Sequence, residues 1–310
     1  MFLKHLINPR PTIILFFIVF CILFVAIPLL NYSLTPLFSH NWIPDYIVLI
    51  TAIAIPSFHA LGLNNLIYEK SIIRKDNLVI GFVYLLICTP FISTLTEWTV
   101  SFFLLFFLNY LLESYQRDYP FSQVFNASLI LSILSFIAPN TAGLIILIII
   151  SGIYFSNLSW SSLATIIIGV SIPYLFYFTY CILTETNFII PNFTAFYQLQ
   201  LPTINSIAIP KLVWIIILSV ISLVAFIELI AWLYKKSIRS RKSFFIIIFY
   251  LIITSIIALY SSTNSWYYIM TPLSVIIGNF FIYSRFKKPS NLLFILLVIS
   301  SIYYRYMIMI

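Results

Sequence analysis

The sequence predicts an all-α integral membrane protein, a polytopic bundle of transmembrane helices. Hydrophobic residues make up 62% of the 310 residues and charged residues 8%, with a mean hydropathy of +1.09. A soluble domain carries about 25% charged residues, so this chain has too few to cover a water-exposed surface. The apolar residues form long continuous runs rather than short alternating segments, which favours helices over a β-barrel.

The basic residues follow an alternation along the chain, which predicts the orientation of the bundle. Cytoplasmic connections of membrane proteins are enriched in Lys and Arg. The chain has 16 Lys and Arg residues, and only Lys211 and Arg305 lie outside the predicted inner connections. We therefore expect a cytoplasmic N-terminus and a C-terminus on the far side. The other basic residues, all in predicted inner connections, are Lys4, Arg10, Lys70, Arg74, Lys75, Arg117, Lys235, Lys236, Arg239, Arg241, Lys242, Arg285, Lys287 and Lys288.

The first predicted span is Thr12–Asn31, which follows the basic N-terminal residues. Its length of about 20 residues suits a transmembrane helix and exceeds the apolar core of a signal peptide. No small-residue cleavage motif follows it, so we expect an uncleaved span. The other spans are predicted at Tyr46–Ile67, Leu78–Leu95, Ser162–Thr184, Leu212–Tyr234, Phe244–Ser261, Trp266–Tyr283 and Asn291–Met309, with a short span at Val100–Leu112.

Two shorter apolar arms, Phe125–Ala138 and Ala142–Phe155, flank Pro139-Asn140-Thr141. Each is shorter than the ~20 residues of an upright span, so Phe125–Phe155 forms either two short spans or a re-entrant pair. The bundle therefore has about eleven spans, or nine if the pair is re-entrant. Both arrangements leave the following residues, Ser156–Trp160, on the inner side.

The chain is predicted to be a single integral membrane domain over residues 1–310. The longest non-apolar connection, Glu185–Pro210, falls short of the ~50 residues of a minimal soluble domain. The net charge of +8 is spread over loops rather than clustered on one face, which argues against a nucleic-acid partner. The expected partner is the lipid bilayer, whose anionic headgroups attract the basic loops.

No metal site or cofactor is expected. Cys21, Cys88 and Cys181 lie inside apolar runs, where cysteine behaves as a small buried hydrophobe. The sequence has no glycine-rich phosphate loop, no HExxH motif and no nucleophile elbow.

Two ionisable residues are predicted within spans, where polar groups are costly and therefore candidate functional groups. Glu228 is a candidate proton or cation site, or else its carboxylate reaches the headgroups or a basic partner. His59 lies in the second span near Pro56 and is either functional or a hydrogen-bonded interior group.

The predicted outer surface carries a compact set of ionisable residues that can carry chemistry. Asp45 and Glu97 are candidate catalytic acids, one as general base and the other orienting a cation or phosphate, with His40 beside them. The alternative is that acids collect on this side because basic residues are excluded from it. The candidate substrate-binding residues are Glu185, Lys211 and Arg305, of which Arg305 can instead be an interface anchor.

Two stretches resemble known families. The segment Asn64–Lys70 (NNLIYEK) with Ile72–Asn77 (IIRKDN) resembles a family of uncharacterised bacterial inner-membrane proteins of about this length. The stretch Phe125–Pro173, with two short arms around Ala138-Pro139-Asn140 and a span ending in Ile172-Pro173-Tyr174-Leu175, resembles the core of GT-C glycosyltransferases.

The second resemblance implies transfer of a sugar from a polyprenyl-phosphate donor at the outer membrane face. Asp45 would match the acid of that family's first outer loop, although the loop here is only about fourteen residues long, and Glu97 would match the second outer acid.

Three functions stay open at this point. The first is an enzyme or enzyme-like protein of envelope glycan or lipid-carrier metabolism in the bacterial inner membrane. The second is a structural or assembly subunit of an envelope complex, bound to other membrane subunits. The third is a transporter, which needs a polar cavity at the membrane midplane lined by His59 or Glu228.

Overall fold

The computed structural model of the protein describes residues 2–29, 44–91, 94–191, 208–260 and 265–309. Within these ranges the chain is helical and has no β-strand, which confirms the all-α class. The helices are α1 (Phe2–Leu6), α2 (Pro11–Leu29), α3 (Asp45–Glu69), α4 (Val79–Ile87), α5 (Leu95–Glu113), α6 (Phe121–Ile137), α7 (Ile145–Phe155), α8 (Trp160–Leu183), α9 (Ile209–Leu233), α10 (Ile238–Tyr260), α11 (Met270–Tyr283) and α12 (Lys287–Met309).

Eight helical segments in the described ranges are long and apolar enough to cross a membrane. They are α2, α3, α5, α8, α9, α10, α12 and the segment Trp266–Tyr283, in which a 3₁₀ turn leads into α11. Helices α4, α6 and α7 are shorter. The protein is thus a multi-pass helical membrane protein, whereas the exact number of crossings and the side of each terminus stay predictions.

The chain divides into two compact units. The first unit comprises Met1–Thr99, Pro202–Arg241 and Met270–Ile310, and the second comprises Val100–Leu201 and Lys242–Ile269.

Helix α4 is the centre of the first unit, and all nine of its residues are buried. Helices α3 and α11 pack closely on it at two glycines. A Cβ at Gly81 of α4 would collide with the Ala60 carbonyl of α3, and a Cβ at Gly278 of α11 would collide with Ile80 of α4. The Asn64 side chain of α3 accepts a 2.9 Å hydrogen bond from the Gly81 N–H. It thereby satisfies one of the N-terminal N–H groups that have no partner within their own helix.

The predicted span Leu78–Leu95 is interrupted in the structure. Helix α4 stops at Ile87, and a 3₁₀ turn with Pro90 at its centre follows before α5 begins at Leu95. Proline lacks an N–H and disfavours α geometry in the preceding residue, which favours a helix end at this point. Glu97, predicted in a tight turn, consequently lies in the first turn of α5.

Several helices begin earlier than their predicted spans, and two of them do so within basic sequence. Helix α10 starts at Ile238 rather than Phe244, and α12 starts at Lys287 rather than Asn291. Hydropathy marks only the part of a helix that suits hydrocarbon, whereas Lys and Arg are good helix formers that extend it further. The basic loop predicted at Lys235–Lys242 is therefore partly helical.

The second unit is held together by small and polar residues as well as by apolar ones. Helices α6 and α8 pack together, and the Ser132 hydroxyl donates to the Val170 carbonyl at 2.7 Å. Hydroxyls of Ser135 and Tyr174 lie 2.6 Å apart on the same pair of helices. Such contacts join helices where lipid gives no hydrophobic drive for association.

Candidate functional sites of the first unit

An apolar groove of about 340 Å³ lies between α2 and α12. Aromatic and aliphatic side chains of α2 line it from Phe16 to Pro28, and α12 closes it with Ile302, Arg305 and Tyr306. The α2 wall is about 18 Å long, at 1.5 Å of rise for each residue. The groove is thus an elongated apolar slot with one cationic side chain in its lining.

The guanidinium group of Arg305 is buried in this lining. The residue is 4% exposed, and its guanidinium carbon lies 3.4 Å from the centroid of the Phe24 ring. None of its three guanidinium nitrogens has a hydrogen-bond partner in the described ranges. A buried charge without a counter-charge costs several kcal/mol, while a desolvated cation–π contact returns only about 2 kcal/mol. The site is therefore suited to an anionic group.

The position of Arg305 is fixed by packing of the preceding turn of α12. The Ser301 hydroxyl donates to the Leu86 carbonyl of α4 and accepts from the Trp214 indole of α9, both at 3.2 Å. The Trp214 ring also stacks on Tyr304, with 5.7 Å between the centroids. Helices α4 and α9 thus hold the end of α12 that presents Arg305 to the groove.

The two candidate acids both lie at helix N-termini. Asp45 is the first residue of α3 and is exposed. Glu97 is half-buried in the first turn of α5, and its Oε2 atom is buried without a hydrogen-bond partner in the described part of the chain. Carboxylates are stabilised at these positions by the helix dipole, which accounts for both residues without a shared site. The proximity of the two acids stays a prediction.

The remaining outer candidates occupy separate places. His40 lies outside the described residues. Lys211 is exposed in the first turn of α9, in the first unit. Glu185 is exposed in the second unit, just after α8, and has a left-handed backbone with φ of 53°.

His59 is a hydrogen-bonded interior residue of the first unit. It is fully buried, its ring is stacked on Tyr84 at 4.0 Å, and its Nδ1 atom lies 3.1 Å from the Tyr84 hydroxyl. The Thr271 hydroxyl lies 3.4 Å from Nε2. Because a neutral imidazole has one donor and one acceptor, these two hydroxyls satisfy both ring nitrogens.

Glu228 serves the basic end of the first unit. Its carboxylate accepts a 2.8 Å hydrogen bond from the Arg285 backbone N–H, in the connection between α11 and α12. This contact ties α9 to that connection and gives the carboxylate a structural partner. No group of three or more His, Cys, Asp or Glu residues in the described ranges is placed to hold a metal ion.

A second cavity of the first unit was missed by sequence reasoning. It measures about 700 Å³ and is lined by residues of α1, of the start of α2, of the α3–α4 connection and of the start of α12. The sequence assigned its basic residues to separate loops. The sequence feature that indicates the cavity wall is the spacing of Leu3 and Leu6, which lie on one face of a short helix. Both residues are buried in the structure.

Comparison with known proteins gives one match. No curated protein and no solved structure matches the chain. A family of unknown function (DUF6427) matches residues 1–310, which confirms the prediction of an uncharacterised family, and the chain belongs to that family.

Proposed function

We propose that the protein binds an anionic carrier lipid of the polyprenyl-phosphate type in the α2–α12 groove, as a membrane protein of envelope lipid-carrier metabolism. The observation that carries this proposal is the buried guanidinium of Arg305, which has no hydrogen-bond partner in the described ranges and lines an apolar groove.

The groove and its cation match the two parts of such a lipid. Guanidinium is planar and binds phosphate oxygens through two parallel hydrogen bonds, and a phosphate would supply the missing counter-charge. The α2 wall from Phe16 to Pro28 would accept the hydrocarbon chain. Several of these side chains, including Phe16, Leu23 and Ile27, are about half exposed and would otherwise face bulk lipid.

In the enzymatic form of this proposal, Glu97 and Asp45 supply acid or base catalysis, and His40 is the third candidate. The buried Glu97 Oε2 atom lacks a hydrogen-bond partner among the described residues, which favours Glu97 over Asp45 as the catalytic acid or base. Lys211 and Glu185 would then bind the group carried by the lipid. The GT-C resemblance implies that this group is a sugar.

The proposal places the protein in the bacterial inner membrane with its basic end in the cytoplasm. Basic connections that are distant in sequence meet in the first unit, which supports this orientation. The ammonium groups of Lys75 and Lys236 lie 5.0 and 4.3 Å from the centroid of the same ring, Tyr283. Cytoplasmic loops of membrane proteins carry such clusters of positive charge.

A second candidate function is that of a non-catalytic assembly subunit of an envelope complex. The helix-terminal positions of Asp45 and Glu97 favour it, because the helix dipole explains acids there without catalysis.

The lipid proposal is tested with the purified full chain in nanodiscs. Retention of polyprenyl phosphate is compared with that of the uncharged polyprenol by native mass spectrometry. We expect selective retention of the phosphate by the wild type, about tenfold or more weaker in Arg305→Gln, as for loss of a charge-assisted hydrogen bond. Arg285→Gln, which removes an exposed charge of the same unit outside the groove, is the control. Equal retention of both lipids, or an equal loss in the control, would overturn the proposal.

Catalysis is tested separately in the intact cell. Asp45→Asn and Glu97→Gln keep side-chain size and remove the carboxylate. A defect in envelope glycan with either variant, at normal protein level, supports an enzyme. Normal glycan with both, together with a defect in Arg305→Gln, supports carrier binding by an assembly subunit.

A further inference from the structure

The second cavity of the first unit is strongly basic. Lys4, Arg10, Lys75 and Lys287 line it, with His5 beside them, and its lining includes no Asp or Glu. None of the four cations forms an ion pair within the described ranges. Folding therefore brings four positive charges around one cavity of about 700 Å³ whose described lining holds no counter-charge.

Two helix N-termini add to this positive potential. Helix α2 begins at Pro11, directly after Arg10, and α12 begins at Lys287. The N-terminal end of a helix carries about half a positive charge and favours anions, so basic residues there are unfavourable by themselves. An anion in the cavity would satisfy the cations and both helix ends together.

The wall of the cavity is built by contacts between distant parts of the sequence. Asn8 adopts a left-handed backbone with φ of 60°, which turns the chain between α1 and α2, and its N–H donates to the Asp76 carbonyl at 3.0 Å. Ile7 forms a β-bridge with Asn77, next to Lys75. The N-terminal segment is thus held by backbone hydrogen bonds, so the backbone that carries Lys4 and Arg10 is in place before any ligand arrives.

The cavity also offers neutral polar groups. Ser284 from the α11–α12 connection, and Ser290 and Asn291 from the start of α12, are part of its lining. Ser290 is 1% exposed, and its hydroxyl has no hydrogen-bond partner in the described ranges. A buried hydroxyl without a partner costs free energy and is rare in folded proteins, so it marks a place where a ligand or water can bind.

We infer that this cavity, at the end of the first unit that carries its basic connections, binds the phosphate of an anionic ligand through Lys4, Arg10, Lys75 and Lys287. The volume is in the range of small-molecule sites and well above that of one phosphate ion. The phosphate can belong to a lipid headgroup or to a soluble phosphate compound. This inference concerns a different site from the Arg305 groove and does not depend on it.

The competing explanation is general attraction of basic loops to an anionic membrane surface. That attraction depends on net charge and falls off within a Debye length, whatever the position of each Lys or Arg. Binding at a defined site instead depends on which of the charged residues are removed. The charge-matched double variants Lys75→Gln/Lys287→Gln, in the cavity, and Lys235→Gln/Lys288→Gln, outside it, separate the two explanations.

The experiment uses the full chain in two settings. In lipid-free detergent, binding of radiolabelled inorganic pyrophosphate is measured at constant ionic strength. In nanodiscs, co-purification of phosphatidylglycerol over phosphatidylcholine is measured by mass spectrometry. Binding in the first setting identifies a soluble phosphate compound as the ligand class, and binding in the second alone identifies a headgroup.

We expect wild type to bind at least one probe, the cavity double variant to bind it about tenfold or more weakly, and the outside double variant to match wild type. Lys287→Gln alone, an exposed change, repeats the test if the double variant fails to fold. Absence of binding to both probes, or equal weakening by both double variants, would overturn the inference.

Discussion

Replacing Arg305 with Met should stabilise the lipid-free protein. The substitution keeps an unbranched, buried side chain and removes the charge. Arg305 is 4% exposed and its guanidinium has no hydrogen-bond partner in the described ranges, so the wild-type protein bears the desolvation cost of this charge without a counter-charge. The cost is removed in the variant.

The size of the effect follows from two opposing terms. Desolvation of an ion costs several kcal/mol, and the contact with the Phe24 ring returns about 2 kcal/mol. Replacement of a buried ion pair by apolar residues of similar volume is often neutral or stabilises the protein by about 1–4 kcal/mol. We therefore expect the free energy of unfolding of lipid-free Arg305→Met to rise by about 1–3 kcal/mol.

The assay is reversible unfolding in mixed micelles of dodecyl maltoside and increasing dodecyl sulfate, followed by circular dichroism. It is repeated with polyprenyl phosphate added. Because a bound ligand stabilises only the folded state that binds it, added lipid should stabilise wild type and leave Arg305→Met nearly unchanged. The difference in stability between Arg305→Met and wild type should therefore become smaller or change sign when the lipid is added.

A lipid-free Arg305→Met that is less stable than wild type by more than about 1 kcal/mol would refute the reasoning, since it would reveal a partner for Arg305 within the protein. Arg285→Met is the matched control. Arg285 is exposed in the α11–α12 connection, so its substitution should change stability by less than about 0.5 kcal/mol.

Three further predictions concern packing and charge in the first unit. Gly81→Ala should lower the free energy of unfolding by about 1–3 kcal/mol in the same assay, because its Cβ would meet the Ala60 carbonyl. Asn64→Leu should cost about 1–3 kcal/mol, since the Gly81 N–H loses its acceptor. Burial, then the charges of Lys75 and Arg74, lower the pKa of Lys236 below 10.5. Between this lowered pKa and 10.5, the unfolded chain therefore holds more protons than the folded chain. The thermal midpoint should rise with pH up to about 10.5, and it should rise less in Lys236→Gln.

Hydropathy was sufficient to locate most helices but not their ends. Helices α3 and α9 each have 25 residues and are as long as a membrane is thick, so composition alone marks them. Hydropathy does not distinguish the short α4 from a full-length span, because its nine residues are followed by further apolar residues beyond Pro90. The break depends on backbone geometry at the proline, which a hydropathy average does not contain.

The sites depended on long-range contacts that the sequence pattern does not show. Arg305 was predicted among the outer ionisable residues, but its burial against Phe24 joins residues that are far apart in the chain. The basic cavity requires the turn at Asn8 and its hydrogen bond to the Asp76 carbonyl, neither of which has a periodic signature. His59 and Glu228 were each left with two explanations, and their hydrogen bonds favour the structural one.

Helix α12 connects the two proposed binding sites and sets the distance between them. It carries Lys287 of the basic cavity in its first turn and Arg305 of the groove 18 residues later, since 305 − 287 = 18. At 1.5 Å of rise for each residue, the two Cα atoms lie about 27 Å apart along the helix axis. The hydrocarbon core of a bilayer is about 30 Å thick, so a helix that places Lys287 at one interface places Arg305 close to the other. Phosphate groups of lipids lie at both interfaces, and a buried guanidinium at that depth can therefore meet one without crossing hydrocarbon. A midplane position for Arg305 would instead place Lys287 about 12 Å beyond the hydrocarbon and leave the unpaired guanidinium at the depth where a charge is most costly.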